Sequence, residues 1–265
     1  MTLPLHSVAS LIDHTYLPAF PLPSEQDIDS KLGVLAQEAN EHQFAAVCVR
    51  PEHALKMRQL LGKTSSVKLA VVIGFPQQKV QLNDEKWSPT IGNSPLEKRL
   101  KEIEQAKAAN ATELDVVLDV FAFQTAVGLG KPNSLLGWLE EHRKAADGMA
   151  IKLIIETDIL TPEQIDVATL LCAQAGFAMV KTSTGYVQEG QGATVENIKR
   201  MAYQLERYHQ DHPEEPQLGI KASGGVRTPE EAKAMIEAGA SRIGTSNGVA
   251  LLETSDKAVQ SVSEY

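Results

Sequence analysis

Two short apolar runs in this sequence end in a lysine, then small hydroxylated residues, then glycine. They are Met179-Val-Lys-Thr-Ser-Thr-Gly185 and Gly219-Ile-Lys-Ala-Ser-Gly-Gly225. Runs of this length bounded by glycine read as buried parallel strands. An ammonium does not enter such a strand without a partner or a lowered pKa. A lysine at the same place in both runs points to a reactive amine, the nucleophile of Schiff-base chemistry.

The elements that must position these amines alternate along the chain. Strands are expected at Leu11–Thr15, Phe44–Arg50, Val67–Gly74, Glu113–Asp119, Ala150–Glu156, Phe177–Thr182, Leu218–Ala222 and Ser241–Thr245. Between them lie helical stretches. Ser24-Glu-Gln-Asp27 is an N-cap with an acid three residues on, and Thr161-Pro and Thr228-Pro pair an N-cap with proline at the first helical position. A short leading helix over Pro4–Ser10 and a polar tail from Glu253 to Tyr265 complete the reading. No composition break divides residues 1–265, so one domain is expected. Strict alternation implies parallel strands with right-handed crossovers, and eight repeats at this length fit a closed (β/α)8 TIM barrel. The runner-up is an open doubly wound sheet, but no G-x-G-x-x-G fingerprint follows the first strand.

Side chains on a strand alternate in and out. Phasing the sixth and seventh strands inward sets Lys181 beside Lys221. Two ammonium groups about 5 Å apart, at an effective dielectric near 20, repel by about 3 kcal/mol. That corresponds to roughly two pKa units, before burial adds to it. One of the two lysines is then a free amine near neutral pH; the phase does not say which. The same phase groups Glu113 with Asp115, and Lys152 with Glu156. Asp115, Lys152, Lys181 and Lys221 then meet at the barrel centre, with Asp115 placed to act as general base through a water. Lys152 reads more simply as part of a structural ion-pair network, and Cys48 as a small core residue. Gly224-Gly225 and Gly244-Thr-Ser-Asn-Gly248 follow the last two strands, where barrels often bind phosphate on backbone amides.

The formal net charge of −9, with no offsetting basic cluster, argues against a nucleic-acid partner. Two cysteines make neither a disulfide framework nor a zinc cluster, so no metal is expected and a cytoplasmic location is the default. There is no signal-peptide pattern and no apolar run long enough to span a membrane. A homodimer is the default assembly.

Read together, Ile12-Asp-His-Thr15, Glu113-Leu-Asp-Val-Val117, Lys152-Leu-Ile-Ile-Glu-Thr157, Lys181-Thr-Ser-Thr-Gly185 and Lys221-Ala-Ser-Gly-Gly225 resemble the 2-deoxyribose-5-phosphate aldolase family, in family order from about residue 11 to about 250. The resemblance implies a class I aldolase without cofactor, acting on a phosphosugar and an aldehyde. The implied reaction is reversible cleavage of 2-deoxy-D-ribose 5-phosphate to D-glyceraldehyde 3-phosphate and acetaldehyde. It implies Lys181 as the Schiff-base lysine, Lys221 as the neighbour that tunes it, and Asp115 in the proton relay. Lys152 and Thr15 stand behind them. Gly185, Gly224, Gly225 and Ser246 map to phosphate contacts, and Tyr265 to a terminal tyrosine that reaches back to the site in some members. The chain departs from the pattern at Tyr186, where a lysine or phenylalanine is usual, at Ser223, where alanine is usual, and in a longer loop over Gln77–Pro95. That loop is expected to cover the site or to contact a partner. Another sugar-phosphate aldolase and a non-catalytic phosphosugar-binding barrel are the alternatives.

Overall fold

The computed structural model describes residues 8–81 and 91–252. Ten strands are present among them: β1 (Ile12–Tyr16), β2 (Ala46–Val49), β3 (Lys68–Ile73), β4 (Val80–Gln81), β5 (Glu113–Val117), β6 (Ala150–Ile154), β7 (Met179–Lys181), β8 (Val187–Gln188), β9 (Gly219–Ser223) and β10 (Arg242–Thr245). Eight of them close a parallel barrel in the order β1-β10-β9-β7-β6-β5-β3-β2. Closure is explicit, because β1 pairs in parallel with β10 on one side and with β2 on the other. The open doubly wound alternative is excluded.

Helices alternate with the strands as the sequence requires: α1 (Glu25–His42), α2 (Ala54–Leu61), α3 (Leu96–Ala108), α4 (Val120–Gly128), α5 (Leu136–Ala146), α6 (Pro162–Gln174), α7 (Val195–Asp211) and α8 (Pro229–Glu237). The caps form where expected. Ser24 Oγ accepts the Asp27 N–H at 3.2 Å. Thr161 and Thr228 each close a complete capping box with the residue three positions on. Each amphipathic helix buries one stripe against the barrel. On α7 that stripe is Ile198, Met201 and Leu205, each worth roughly 1.5–3 kcal/mol of burial.

The structure corrects the sequence reading in three places. The strand expected over Glu113–Asp119 stops at Val117, because Asp119 caps a helix that the reading did not foresee. Its carboxylate accepts the Ala122 N–H at 2.9 Å, and the apolar run after it is α4. The strand expected over Phe177–Thr182 shortens to three residues. The Gln77–Pro95 loop is not wholly irregular: Val80–Gln81 pairs in parallel with Val187–Gln188 beside the barrel mouth. Residues 82–90 of that loop lie outside the described residues. So do most of the expected leading helix, of which Val8 and Ala9 are helical, and the tail with Tyr265.

Replacing Thr161 with alanine removes an exposed helix cap. The variant is expected to unfold at lower urea, about 1 kcal/mol less stable, with its chemistry intact; an unchanged urea midpoint would count against the capping box.

Candidate active site

The strand phase holds in three dimensions. Lys181 and Lys221 are direct register partners on β7 and β9, and Asp115 partners Lys152 across β5 and β6. All four side chains are buried. Lys181 Nζ donates to Asp115 Oδ2 at 2.7 Å. Lys221 Nζ donates to the same oxygen at 2.7 Å and to Asp13 as well. Lys152 Nζ donates to Asp115 Oδ1 at 2.9 Å, contacts Glu113, and lies 3.4 Å from Asp13 Oδ2. Arg242 Nη1 donates to Asp13 Oδ1 at 2.6 Å and to Glu113 Oε2 at 3.2 Å.

These contacts distinguish the two amines that the sequence left equivalent. Burial would lower Lys221, but Asp115 and Asp13 outweigh it and hold its pKa above the usual lysine range. Lys181 has one carboxylate, and that carboxylate is shared with two other cations. Burial, opposed by Asp115 and aided by Lys221, holds Lys181 below the usual range. The sequence argument gave first place to lysine–lysine repulsion. The structure gives it to burial, because a fully enclosed ammonium loses its hydration whatever its neighbours are. Asp115 is held well below the carboxylate range: burial works to raise it, and Lys152, Lys181 and Lys221 overcome that. It stays ionised.

Lys181 opens upward into a cavity of about 230 Å³ at the C-terminal ends of the strands. The cavity is lined by Thr15, Gly185, Gly224, Gly225 and Ser246, all singled out in the sequence, together with Tyr186, Ser223 and Arg227. Gly224 and Gly225 both have positive φ, at 86° and 80°, which a side chain would resist. Asp115, Lys152 and Lys221 sit beneath the cavity and do not line it. Thr15 Oγ1 donates to the Asp13 carbonyl at 3.0 Å.

The departures have structural roles. Tyr186 is buried, its hydroxyl donating to the Leu17 carbonyl at 2.6 Å and accepting from Arg50 Nη2 at 3.1 Å. Arg50 also donates to the Pro18 and Pro76 carbonyls, so one guanidinium ties three loops of the cavity mouth. Ser223 Oγ donates to the Ser183 carbonyl at 2.6 Å, fastening β9 to the end of β7. Above β6, Glu156 accepts the Thr184 N–H at 3.2 Å and its hydroxyl, and burial pushes the Glu156 carboxyl up to about 7. Cys48 is fully enclosed, with burial pushing its thiol up to about 11, as suits a packing residue.

Asp13, Arg242, Arg227 and Arg50 were given no role by the sequence reading. The first two carried a usable signal. Asp13 shares a face with Thr15, and Arg242 shares one with Gly244. Glu113 was grouped with Asp115 by phase but given no role. Arg227 stands two residues beyond Gly225 and brings a cation to the glycine turn that backbone reasoning did not supply. The arrangement as a whole offers an amine whose pKa burial lowers, with a cationic, glycine-rich seat a few residues away for an anion.

Comparison with known proteins agrees with this chemistry. The family model described as DeoC/LacD family aldolase matches residues 8–254. A deoxyribose-phosphate aldolase of Brevibacillus brevis is 40% identical over 241 residues, covering 91% of this chain and 93% of its own. One from Halalkalibacterium halodurans is 40% identical over 248 residues, with coverage of 93% and 95%. The tetrameric deoxyribose phosphate aldolase of Aeropyrum pernix superimposes with a TM-score of 0.76 at 29% identity, over 97% of this chain and 93% of that one.

Gly244 on β10 makes room for Lys221 and Ser223: a Cβ there would lie 2.8 Å from Lys221 Cε and 3.0 Å from Ser223 Cβ. Lys221 is pinned between two carboxylates and has nowhere to withdraw. Gly244→Ala is expected to cost about 1–3 kcal/mol of stability and to lower the reaction rate at least tenfold. Urea unfolding and steady-state rates on one preparation would check this, and a wild-type rate would refute the close packing.

Proposed function

The chain belongs to the DeoC/LacD family of aldolases, and from that premise we propose that it cleaves 2-deoxy-D-ribose 5-phosphate reversibly to D-glyceraldehyde 3-phosphate and acetaldehyde. The observation that carries the reading is Lys181, a buried amine with one shared carboxylate, opening on a cavity flanked by a glycine turn and Arg227.

The neutral Lys181 amine adds to C1 of the open-chain aldehyde, and uptake of one proton from solvent with loss of water leaves a protonated imine. A base takes the proton of the C3 hydroxyl. The C2–C3 electron pair flows toward the imine nitrogen, releasing glyceraldehyde 3-phosphate and leaving an enamine. Protonation of C2 and addition of water return acetaldehyde and the free amine. Asp115 serves this relay as an ionised acceptor that orients Lys181 and Lys221, the proton passing to a water beside it. A carboxylate held so low does not itself retain a proton near neutrality. Lys221 keeps its charge and tunes Lys181, while Lys152 holds the Asp115 carboxylate and Thr15 fastens the Asp13 backbone carbonyl at the cavity floor. Gly185, Gly224, Gly225 and Ser246 seat the phosphate, with Arg227 neutralising it. Tyr265 is proposed to reach the site from the tail. No metal or cofactor enters the reading.

A related sugar phosphate is a second reading. A further cavity of about 410 Å³ adjoins the first through Gly185, Gly224 and Gly225, which leaves room for a different chain length. A panel of phosphosugars separates the two. A homodimer in the cytoplasm completes the proposal; among the described residues no helix is long and apolar enough to cross a membrane.

Borohydride reduction with acetaldehyde present, followed by peptide mass mapping, should place an adduct on Lys181. A folded protein that traps nothing would sink the aldolase reading. Lys181→Ala is expected to abolish cleavage with the fold intact. Arg227→Ala should raise KM for the phosphorylated sugar at least tenfold while leaving KM for unphosphorylated 2-deoxyribose unchanged; parallel changes in both would remove Arg227 from the phosphate seat.

A further inference from the structure

The ion pairs do not stop at the residues that face the cavity. They continue to the N-terminal ends of the strands. Glu113 and Arg242 are the first residues of β5 and β10, and Lys68 is the first residue of β3. Glu113 accepts from Arg242 and contacts Lys152, and Lys68 closes on it from solvent at 3.0 Å. Arg242 in turn holds Asp13, which holds Lys221. A continuous line of alternating charge therefore runs from the barrel floor to Lys181.

The charges in this line can be counted. Among the described residues, the buried groups joined in this line are three carboxylates, Asp13, Glu113 and Asp115, and four basic side chains, Lys152, Lys181, Lys221 and Arg242. Lys68 keeps about half its side chain in water, where its charge is solvated. An enclosed cluster sheds uncompensated charge, because a buried ion without a partner is far more costly than a neutral group. Three of the four bases can be matched by carboxylates, so one is left without a carboxylate of its own and is the base that burial most readily deprotonates. Lys152 touches three carboxylates, and Lys221 and Arg242 touch two each. Lys181 touches one.

We propose that Glu113 and Arg242, on the barrel floor, are positioning residues whose opposite charges set the proton count of the buried cluster and thereby keep Lys181 a free amine. Neither touches the substrate cavity. They act through Asp13 and Lys152, which in turn fix Lys221 and Asp115. This rests on Lys181 as the nucleophile. The other titratable groups around it among the described residues are Cys48 from β2, and Tyr186 and Arg227, which line the same cavity. Burial raises the thiol and the phenol, so both stay neutral at working pH.

The test is the pH dependence of borohydride trapping at Lys181 with acetaldehyde, read by peptide mapping, alongside the acidic limb of kcat/KM. That limb reports the free enzyme. Arg242→Gln removes a positive charge, so Lys181 holds its proton longer and the limb moves to higher pH. Glu113→Gln removes a negative charge and moves it to lower pH. At separations of about 10 Å and an effective dielectric near 20, each shift is roughly one pH unit. The double variant restores the charge balance and returns the limb toward the wild-type position, and Arg242→Lys leaves the limb in place. A merely structural role would lower the rate at every pH without moving the limb. Glu113→Gln is close in shape and suffices if Arg242→Gln does not fold. A limb that stays put in folded Glu113→Gln, or that moves the same way in both single variants, overturns the proposal. Failure of the wild type to form an adduct at Lys181 would instead overturn the nucleophile assignment on which it rests.

Discussion

Charge cannot stay unpaired inside a closed barrel, and the site follows from that constraint. A parallel barrel whose centre is filled by side chains has little water to solvate an ion. Among the described residues four bases and three carboxylates are enclosed there, so one base lacks a carboxylate of its own. Which base it is follows from contact. Every base except Lys181 is held by at least two carboxylates. Asp115 is the point at which the count becomes local, since three lysines share its two oxygens. The reactivity of one amine is thus a property of the whole cluster.

The mouth of the barrel obeys a different rule. Its groups are polar but mostly held by backbone. Arg50 binds two carbonyls and the Tyr186 hydroxyl instead of a carboxylate. Arg99 does something similar at the ends of β3 and β5, donating to the Ser94 and Val117 carbonyls and stacking on Trp138. Each guanidinium satisfies several carbonyls where irregular backbone is packed against the barrel. These anchors fix the loops that shape the cavity. The short β4–β8 pairing serves the same end by joining the loop after β3 to the loop after β7, beside Gly185.

Much of this was legible in the sequence because period and type coincide. A lysine inside an apolar strand has few meanings, and phase placed Asp115, Lys152, Lys181 and Lys221 on one inner face before any coordinates. The closed barrel followed from counting repeats. The illegible parts are of two kinds. Ion-pair partners such as Arg242 and Asp13 lie 229 positions apart, so only the closing contact between β1 and β10 brings them together. The helix α4 was missed because its sequence, Val120–Gly128, is apolar on most sides and shows no polar face to set a 3.6 period. Tyr186 reads as a lost charge in the sequence and is a hydrogen-bonded wall in the fold.

The charge count also bears on the direction of the proposed chemistry. With Lys181 as an amine the enclosed groups balance at three of each sign. Forming the protonated imine adds one positive charge to a cluster that has no carboxylate left to match it. Breaking the C2–C3 bond sends an electron pair to that nitrogen and returns it to neutrality as an enamine. The barrel is therefore least favourable to the intermediate that precedes bond cleavage and more favourable to the charge distribution that develops during it. That is differential stabilisation of a transition state by fixed charges. It needs no motion of the groups that supply it, since Lys152, Lys221 and Arg242 are held between carboxylates throughout.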